Sequence, residues 1–146
     1  MIPTSLRSFH PVIAEWFSAS FGEPTDVQNQ AWEAIFAGSH TLIAAPTGSG
    51  KTLAALLPCL DRIVRTPAIG PGVRVLYVTP LKALNNDIHH HAARFVEELD
   101  ALAAAGGGAR ERDWPGIRCA VRTGDTSQSA RNAMLRRPPD VLVTTP

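Results

Sequence analysis

With 146 residues, 45% of them hydrophobic and 18% charged, the chain is long enough to bury one core of its own and too apolar to stay a solvated coil. Its formal net charge of +1 argues neither for nor against a nucleic-acid partner, because phosphate contacts come from local clusters and oriented backbone N–H groups. Cys59 and Cys119 are too far apart for a metal knuckle and too few for a disulfide framework, so they read as small core residues in a reducing compartment. Residues 1–7 lack the apolar core of a secretory signal and no apolar run reaches bilayer-spanning length, so the expected location is cytoplasmic.

Residues 6–21 are rich in aromatics and are broken by Gly22-Glu23-Pro24. A helix is predicted from Asp26 to about Ala37, where Val27, Ala31 and Ile35 fall at helical spacing, Thr25 is placed to cap the start and Gly38 closes the end. The apolar run Thr41-Leu42-Ile43-Ala44 is predicted to be a strand.

Directly after it come Ala45-Pro46-Thr47-Gly48-Ser49-Gly50-Lys51-Thr52. A loop that cradles a triphosphate must bring backbone N–H groups close to oxygen atoms, and only residues without a bulky Cβ substituent let the main chain turn that tightly. Gly48 and Gly50 supply the freedom, Lys51 reaches the β/γ-phosphates, the Thr52 hydroxyl ligates Mg²⁺, and the following helix directs its N-terminal amides at the anion. Thr47 and Ser49 complete the predicted ATP-binding set. Ala45 stands where the strict pattern has glycine, a small-for-small exchange. Leu53-Ala54-Ala55-Leu56-Leu57 reads as the buried face of that helix.

The linker at 66–72 leads to a β-branched strand at 73–79, which Pro80 ends. A long helix at 81–105, a glycine-rich loop at 106–108, a short strand at 118–122, a helix at 127–137, Pro138-Pro139 and a last strand at 141–145 follow. Strands alternating with helices imply an α/β fold with a parallel sheet and helices on both faces.

With these pieces in place, the chain resembles the N-terminal part of a superfamily 2 DEAD/DEAH-box-like helicase, and within it the large helicase-related (Lhr) group. Four segments carry the resemblance. Phe21-Gly22-Glu23-Pro24-Thr25-Asp26-Val27-Gln28 is similar to the Q motif, which implies that Gln28 offers a donor and an acceptor to the adenine edge. The phosphate loop is the second, and Thr79-Pro80-Leu81-Lys82 is similar to motif Ia, a strand end that opens into a helix. Arg122-Thr123-Gly124-Asp125-Thr126 is similar to motif Ib, and Thr144-Thr145-Pro146 to the next strand-end contact. The resemblance implies an incomplete RecA-like P-loop NTPase sheet, with N-terminal helices at 1–38 and a partial first lobe at 39–146. It also implies an ATP- and Mg-dependent motor on single-stranded DNA or RNA, with a place in DNA repair. Thr79, Pro80, Leu81, Lys82, Thr123, Gly124, Asp125 and Thr145 would meet the strand. In an open parallel sheet such strand ends line one rim, which would then carry both ATP and nucleic acid.

Other groups have plainer readings. His89-His90-His91 point in different directions on a helix, which makes a solvated face the reading rather than a metal site, and Arg131, Arg136 and Arg137 fit an approach to nucleic acid and a surface helix edge equally. Hydrolysis needs an acidic pair at a strand end and a transition-state arginine. No predicted strand ends in Asp-Glu, and Glu97-Glu98 fall mid-helix. The expectation is therefore an N-terminal piece of a longer helicase, inactive in hydrolysis alone and completed by an acidic box and a second lobe. The alternative is a truncated P-loop module that binds ATP or nucleic acid without turnover.

Overall fold

A computed structural model describes residues 3–66, 70–80, 82–106 and 113–146. They fall into two compact units, Met1–Arg65 and Thr66–Pro146.

The first unit is helical. After a 3-10 turn at Thr4–Ser8, helix α1 spans Pro11–Phe21, started by the His10 imidazole, which accepts from the Val12 N–H at 3.3 Å, and by Pro11 at its first position. Helix α2, Asp26–Phe36, opens on a reciprocal box: Thr25 Oγ1 accepts from the Gln28 N–H at 3.3 Å, and Gln28 Oε1 accepts from the Thr25 N–H at 3.0 Å. Helix α3, Lys51–Arg65, buries Leu53, Ala54, Leu56, Leu57, Leu60 and Ile63 despite an internal Pro58, whose ring nitrogen cannot bond the carbonyl one turn back. Aromatic edges fill the core: Phe9 meets Trp32 and Phe36 at centroid distances of 4.8 and 4.9 Å, and Phe17 meets Trp32 at 5.4 Å.

The expected strand at 41–44 does not form. No strand among the described residues pairs with this segment, and Leu42 is 93% exposed. Apolar, β-prone residues supply the propensity for a strand, but a strand exists only where a neighbour accepts and donates along the ladder. The segment lies instead beside α2, with a cavity of about 260 Å³ lined by Val27, Ala31, Ala34 and residues 41–44.

The second unit is a three-stranded parallel sheet in the order β1-β3-β2, with β1 at Val75–Val78, β2 at Cys119–Arg122 and β3 at Val141–Thr144. The strands are one to three residues shorter than expected because the ladder ends before the β-prone sequence does. Helix α4, Lys82–Ala105, packs on β2 and β3. Its Ala92, Phe95, Val96, Leu99 and Ala103 form a buried stripe at helical spacing, and Val141 and Val143 are buried in the sheet. Alternate residues of β1, Leu76 and Val78, are 60% and 52% exposed. Trp114 Nε1 donates to Asp100 on α4 at 2.5 Å, and the Asp140 carboxylate accepts from the Arg118 N–H at 2.9 Å, fixing the entries to β2 and β3. Helix α5, Gln128–Arg136, capped by Ser127, connects β2 to β3. Among the described residues no helix is long and apolar enough to cross a membrane.

Candidate functional site

The phosphate loop lies in the first unit, between the unpaired segment and α3. Gly48 and Gly50 have φ of 82° and 85°, the left-handed region in which a side chain is strained. The Ser49 N–H closes a turn onto the Pro46 carbonyl at 3.3 Å, and the Ala54 N–H starts α3 on the Gly50 carbonyl at 3.0 Å. The first N–H groups of α3 have no intrahelical acceptor and carry the positive end of its dipole.

Lys51 folds back over this turn: its ammonium donates to the Ala45 and Pro46 carbonyls at 2.5 and 2.6 Å. Two of its three hydrogens are thereby committed, and the charge is held beside the loop rather than out in solvent. Ser49 Oγ is buried without a hydrogen-bond partner among the described residues. A cradle of positive-φ glycines, orphan amides, one cation and one orphan hydroxyl fits a polyphosphate, and Thr52 is the second residue of the helix it opens.

Gln28 is only 4% exposed, and its amide does more than cap α2. Its Nε2 donates to the Gly50 carbonyl at 3.3 Å, while Thr25 Oγ1 donates to the Ser49 carbonyl at 3.0 Å. The two residues of the capping box thus hold the two residues of the phosphate loop. Each end of an amide has a second bonding position, so Gln28 keeps one hydrogen and one lone pair beyond these contacts.

Behind the loop, α3 is tied to the N-terminal segment through Asp61. This buried carboxylate accepts from the His10 N–H at 2.5 Å and from Arg65 Nε at 2.8 Å, and Arg65 also donates to the Ser8 carbonyl at 3.0 Å. Burial pushes the Asp61 carboxyl above its ordinary range, outweighing the His10 amide and the Arg65 guanidinium, which both act the other way.

In the second unit, the register Val78, Thr144, Arg122 brings the carboxyl ends of all three strands level. Thr79, Thr123 and Thr145 follow those ends side by side. The Thr79 N–H donates to the Thr144 carbonyl at 2.9 Å, and Thr144 Oγ1 donates to the Arg122 carbonyl at 2.8 Å. Pro80 is exposed, Lys82 opens α4, and Leu81 lies outside the described residues. Gly124 and Asp125 sit exposed in a tight turn, in which the Thr126 N–H donates to the Thr123 carbonyl at 3.2 Å and the Thr123 N–H to Thr126 Oγ1 at 2.8 Å. The ATP candidates are therefore grouped in one unit and the nucleic-acid candidates in the other.

Sequence reasoning passed over two contributors. Asp61 left no signal beyond a single acid in an apolar helix face. Arg131, which the sequence leaves between nucleic acid and a surface helix edge, turns back onto the 123–126 turn, bonding three of its carbonyls. Of the three histidines, His90 and His91 are exposed, as a solvated face requires, whereas His89 departs from that reading: it is half-buried and bonds the Cys119 backbone, and desolvation holds its pKa down. No group of three His, Cys, Asp or Glu among the described residues could hold a metal ion.

A glycine-turned loop that opens a helix with Lys-Thr, in a chain that also carries a parallel α/β sheet, defines a P-loop nucleotide-binding protein. Residues 25–146 match the DEAD/DEAH box helicase family, and the chain belongs to that family. It is 45% identical over 143 residues to the Lhr helicase/probable uracil glycosylase of Mycolicibacterium smegmatis, covering 97% of this chain and 9% of that protein. To the ATP-dependent helicase Lhr-Core of Methanothermobacter thermautotrophicus it is 41% identical over 140 residues, covering 94% of this chain and 16% of that one. Its fold superimposes on the Mycobacterium smegmatis helicase Lhr bound to ssDNA and AMP-PNP with a TM-score of 0.85 at 43% identity, over 98% of this chain and 18% of the other. The chain thus spans between 9% and 18% of the length of these relatives.

Proposed function

We propose that this chain is the ATP-loading part of the first motor lobe of an ATP-dependent nucleic-acid helicase or translocase. The observation that carries the reading is the Lys51 ammonium poised over a loop whose Gly48 and Gly50 are turned to positive φ, with Gln28 seated against Gly50. Thr47, Gly48, Ser49, Gly50, Lys51 and Thr52 hold the triphosphate through backbone amides and one cation. Lys51 transfers its hydrogen bonds from the loop carbonyls to phosphate oxygens, and Thr52 supplies a hydroxyl to Mg²⁺. Bound Mg²⁺ supplies charge neutralisation for phosphoryl transfer. The Gln28 amide reads adenine with the bonding positions that Thr25 and Gly50 leave over.

In the second unit, Thr79, Pro80, Leu81, Lys82, Thr123, Gly124, Asp125 and Thr145 form the track for a single strand of DNA or RNA, gripped through its phosphates. Residues 1–38 act as the adenine-reading segment and 39–146 as part of the lobe, with the acidic box and the second lobe supplied by further chain. We place the protein in the cytoplasm, with DNA repair as its setting. No strand among the described residues ends in an acidic pair, so these 146 residues by themselves are expected to bind ATP weakly and not to hydrolyse it.

The test is titration of the chain with a fluorescent ATP analogue, followed by a phosphate-release assay. Lys51→Ala should weaken binding by about tenfold or more, the value of one charge-assisted contact. Equal binding by the variant would remove the basis of the reading. Phosphate release that is stimulated by nucleic acid and lost in Lys51→Ala would overturn the inactivity of the isolated chain.

A further inference from the structure

The turn after β2 meets a difficulty of its own chemistry. It is assigned above to phosphate binding, yet a tight turn crowds carbonyl oxygens, which repel an anion, among the N–H and hydroxyl donors that attract one. Residues 123–126 also include the carboxylate of Asp125. A phosphate can approach only if the oxygens are gathered on one side and the donors on the other.

Arg131 does this sorting. Its Nε donates to the Thr126 carbonyl at 2.9 Å, and its Nη2 donates to the Thr123 carbonyl at 3.2 Å and to the Gly124 carbonyl at 3.1 Å. Three of the four carbonyls of the turn are thus collected by one guanidinium on the first half of α5. Of the remaining internal bonds, one runs from the Thr126 N–H to the Thr123 carbonyl at 3.2 Å, and the other two use the acceptor capacity of the hydroxyls and leave their hydrogens. Thr126 Oγ1 accepts from the Thr123 N–H at 2.8 Å, and Thr123 Oγ1 accepts from the Asp125 N–H at 3.3 Å. Among the described residues, the donors of the turn that these bonds do not use are the Gly124 N–H and the hydroxyl hydrogens of Thr123 and Thr126.

We propose that Arg131 is a positioning residue for nucleic-acid binding: it acts through the 123–126 turn, holding the carbonyl oxygens back so that the turn presents donors to a backbone phosphate. The inference rests on the assignment of this turn to the nucleic-acid track. The planar fork of arginine is what the task requires, because its fixed nitrogens can span carbonyls of residues 123, 124 and 126 at once. Lysine keeps the charge but is a single point of donation.

The experiment uses the 146-residue chain, with Arg131→Lys and Arg131→Ala, and a fluorescein-labelled oligothymidylate or oligouridylate followed by anisotropy across a salt series. Both variants should weaken binding by about tenfold, the value of hydrogen bonds to a charged group, while the salt slope stays that of the unsubstituted chain. A direct phosphate contact predicts otherwise: Arg131→Lys would retain affinity, and Arg131→Ala would lower the slope by about 0.7. That pattern would overturn the positioning role. Amide hydrogen exchange followed by NMR reads the clamp without any ligand, and the Asp125 and Thr126 amides should exchange faster in both variants. Unchanged exchange sinks the clamp alone, whereas no binding of either oligonucleotide by the unsubstituted chain sinks the nucleic-acid assignment and the positioning role with it. Because α5 buries no residue, both substitutions leave the core untouched, and a retained cooperative urea transition of the buried Trp114, read in a Trp16→Phe/Trp32→Phe background, checks that the second unit still folds.

Discussion

Gly50→Ala and Gly48→Ala make the same chemical change in nearly the same backbone conformation, with φ of 85° and 82°, but in different surroundings. A Cβ at Gly48 meets nothing within 4 Å, whereas at Gly50 it runs into the amide nitrogen of Gln28. The left-handed backbone costs an alanine about 1–2 kcal/mol, and the stiffer unfolded chain returns about 0.4–1 kcal/mol, leaving a net cost near 1 kcal/mol at either site. At Gly50 the displaced Gln28 also loses its bond to the Gly50 carbonyl, about 1 kcal/mol, and disturbs the capping box of α2, about 1 kcal/mol more. The expected costs are therefore about 1 kcal/mol for Gly48→Ala and about 3 kcal/mol for Gly50→Ala. In a Gln28→Ala background the Gly50→Ala penalty should fall back to about 1 kcal/mol, a coupling of about 2 kcal/mol. Urea unfolding followed by the fluorescence of Trp16 and Trp32, in a Trp114→Phe background, reads the first unit directly. Equal penalties at the two glycines, or a coupling within about 0.5 kcal/mol of zero, would refute the claim that Gln28 braces the phosphate loop.

Acidity should act on the first unit through Asp61. Its carboxyl is raised above the ordinary 3.8, so between that value and the higher folded one the native state binds more protons than the unfolded chain. The contribution to stability is thus full below 3.8 and is lost as the pH rises through the folded value. Urea midpoints of the unsubstituted chain should fall relative to those of Asp61→Asn across this window, and a difference that is flat or rises with pH would contradict the burial argument. Burial likewise pushes the Cys119 thiol from 9.0 up to about 11. At pH 8 its thiolate fraction is then about a hundredfold below that of an ordinary cysteine, and iodoacetamide should label the Cys119 peptide correspondingly slowly, accelerating towards the unfolded rate in urea. Labelling of the folded chain at the unfolded rate would refute it.

Much of the first unit was legible because its signals are local. Thr25 before an apolar-periodic segment is enough to place a helix cap, and two glycines ahead of Lys-Thr are enough to place a phosphate loop, while the reciprocal bond from Gln28 came from the fold. The alternation of strands and helices in the second unit was legible for the same reason, down to the proline that follows β1, whereas Ser127, read as the first residue of the last helix, proves to be its cap. The segment at 41–44 shows where local signals fail: its residues favour a strand, but pairing belongs to whatever lies alongside, and no described strand does.

The sequence by itself determined the helices, the Thr25 cap, the glycine positions and the alternation of strands with helices, since each depends on residues a few places apart. Tertiary structure alone decided that Gln28 would press on Gly50, that Asp61 would hold His10 from 51 residues away, and that Arg131 would gather the carbonyls of a turn. Those contacts join groups that the linear spacing leaves unrelated. Once buried or crowded together, such polar groups must find partners, and only the folded arrangement settles which ones are within reach.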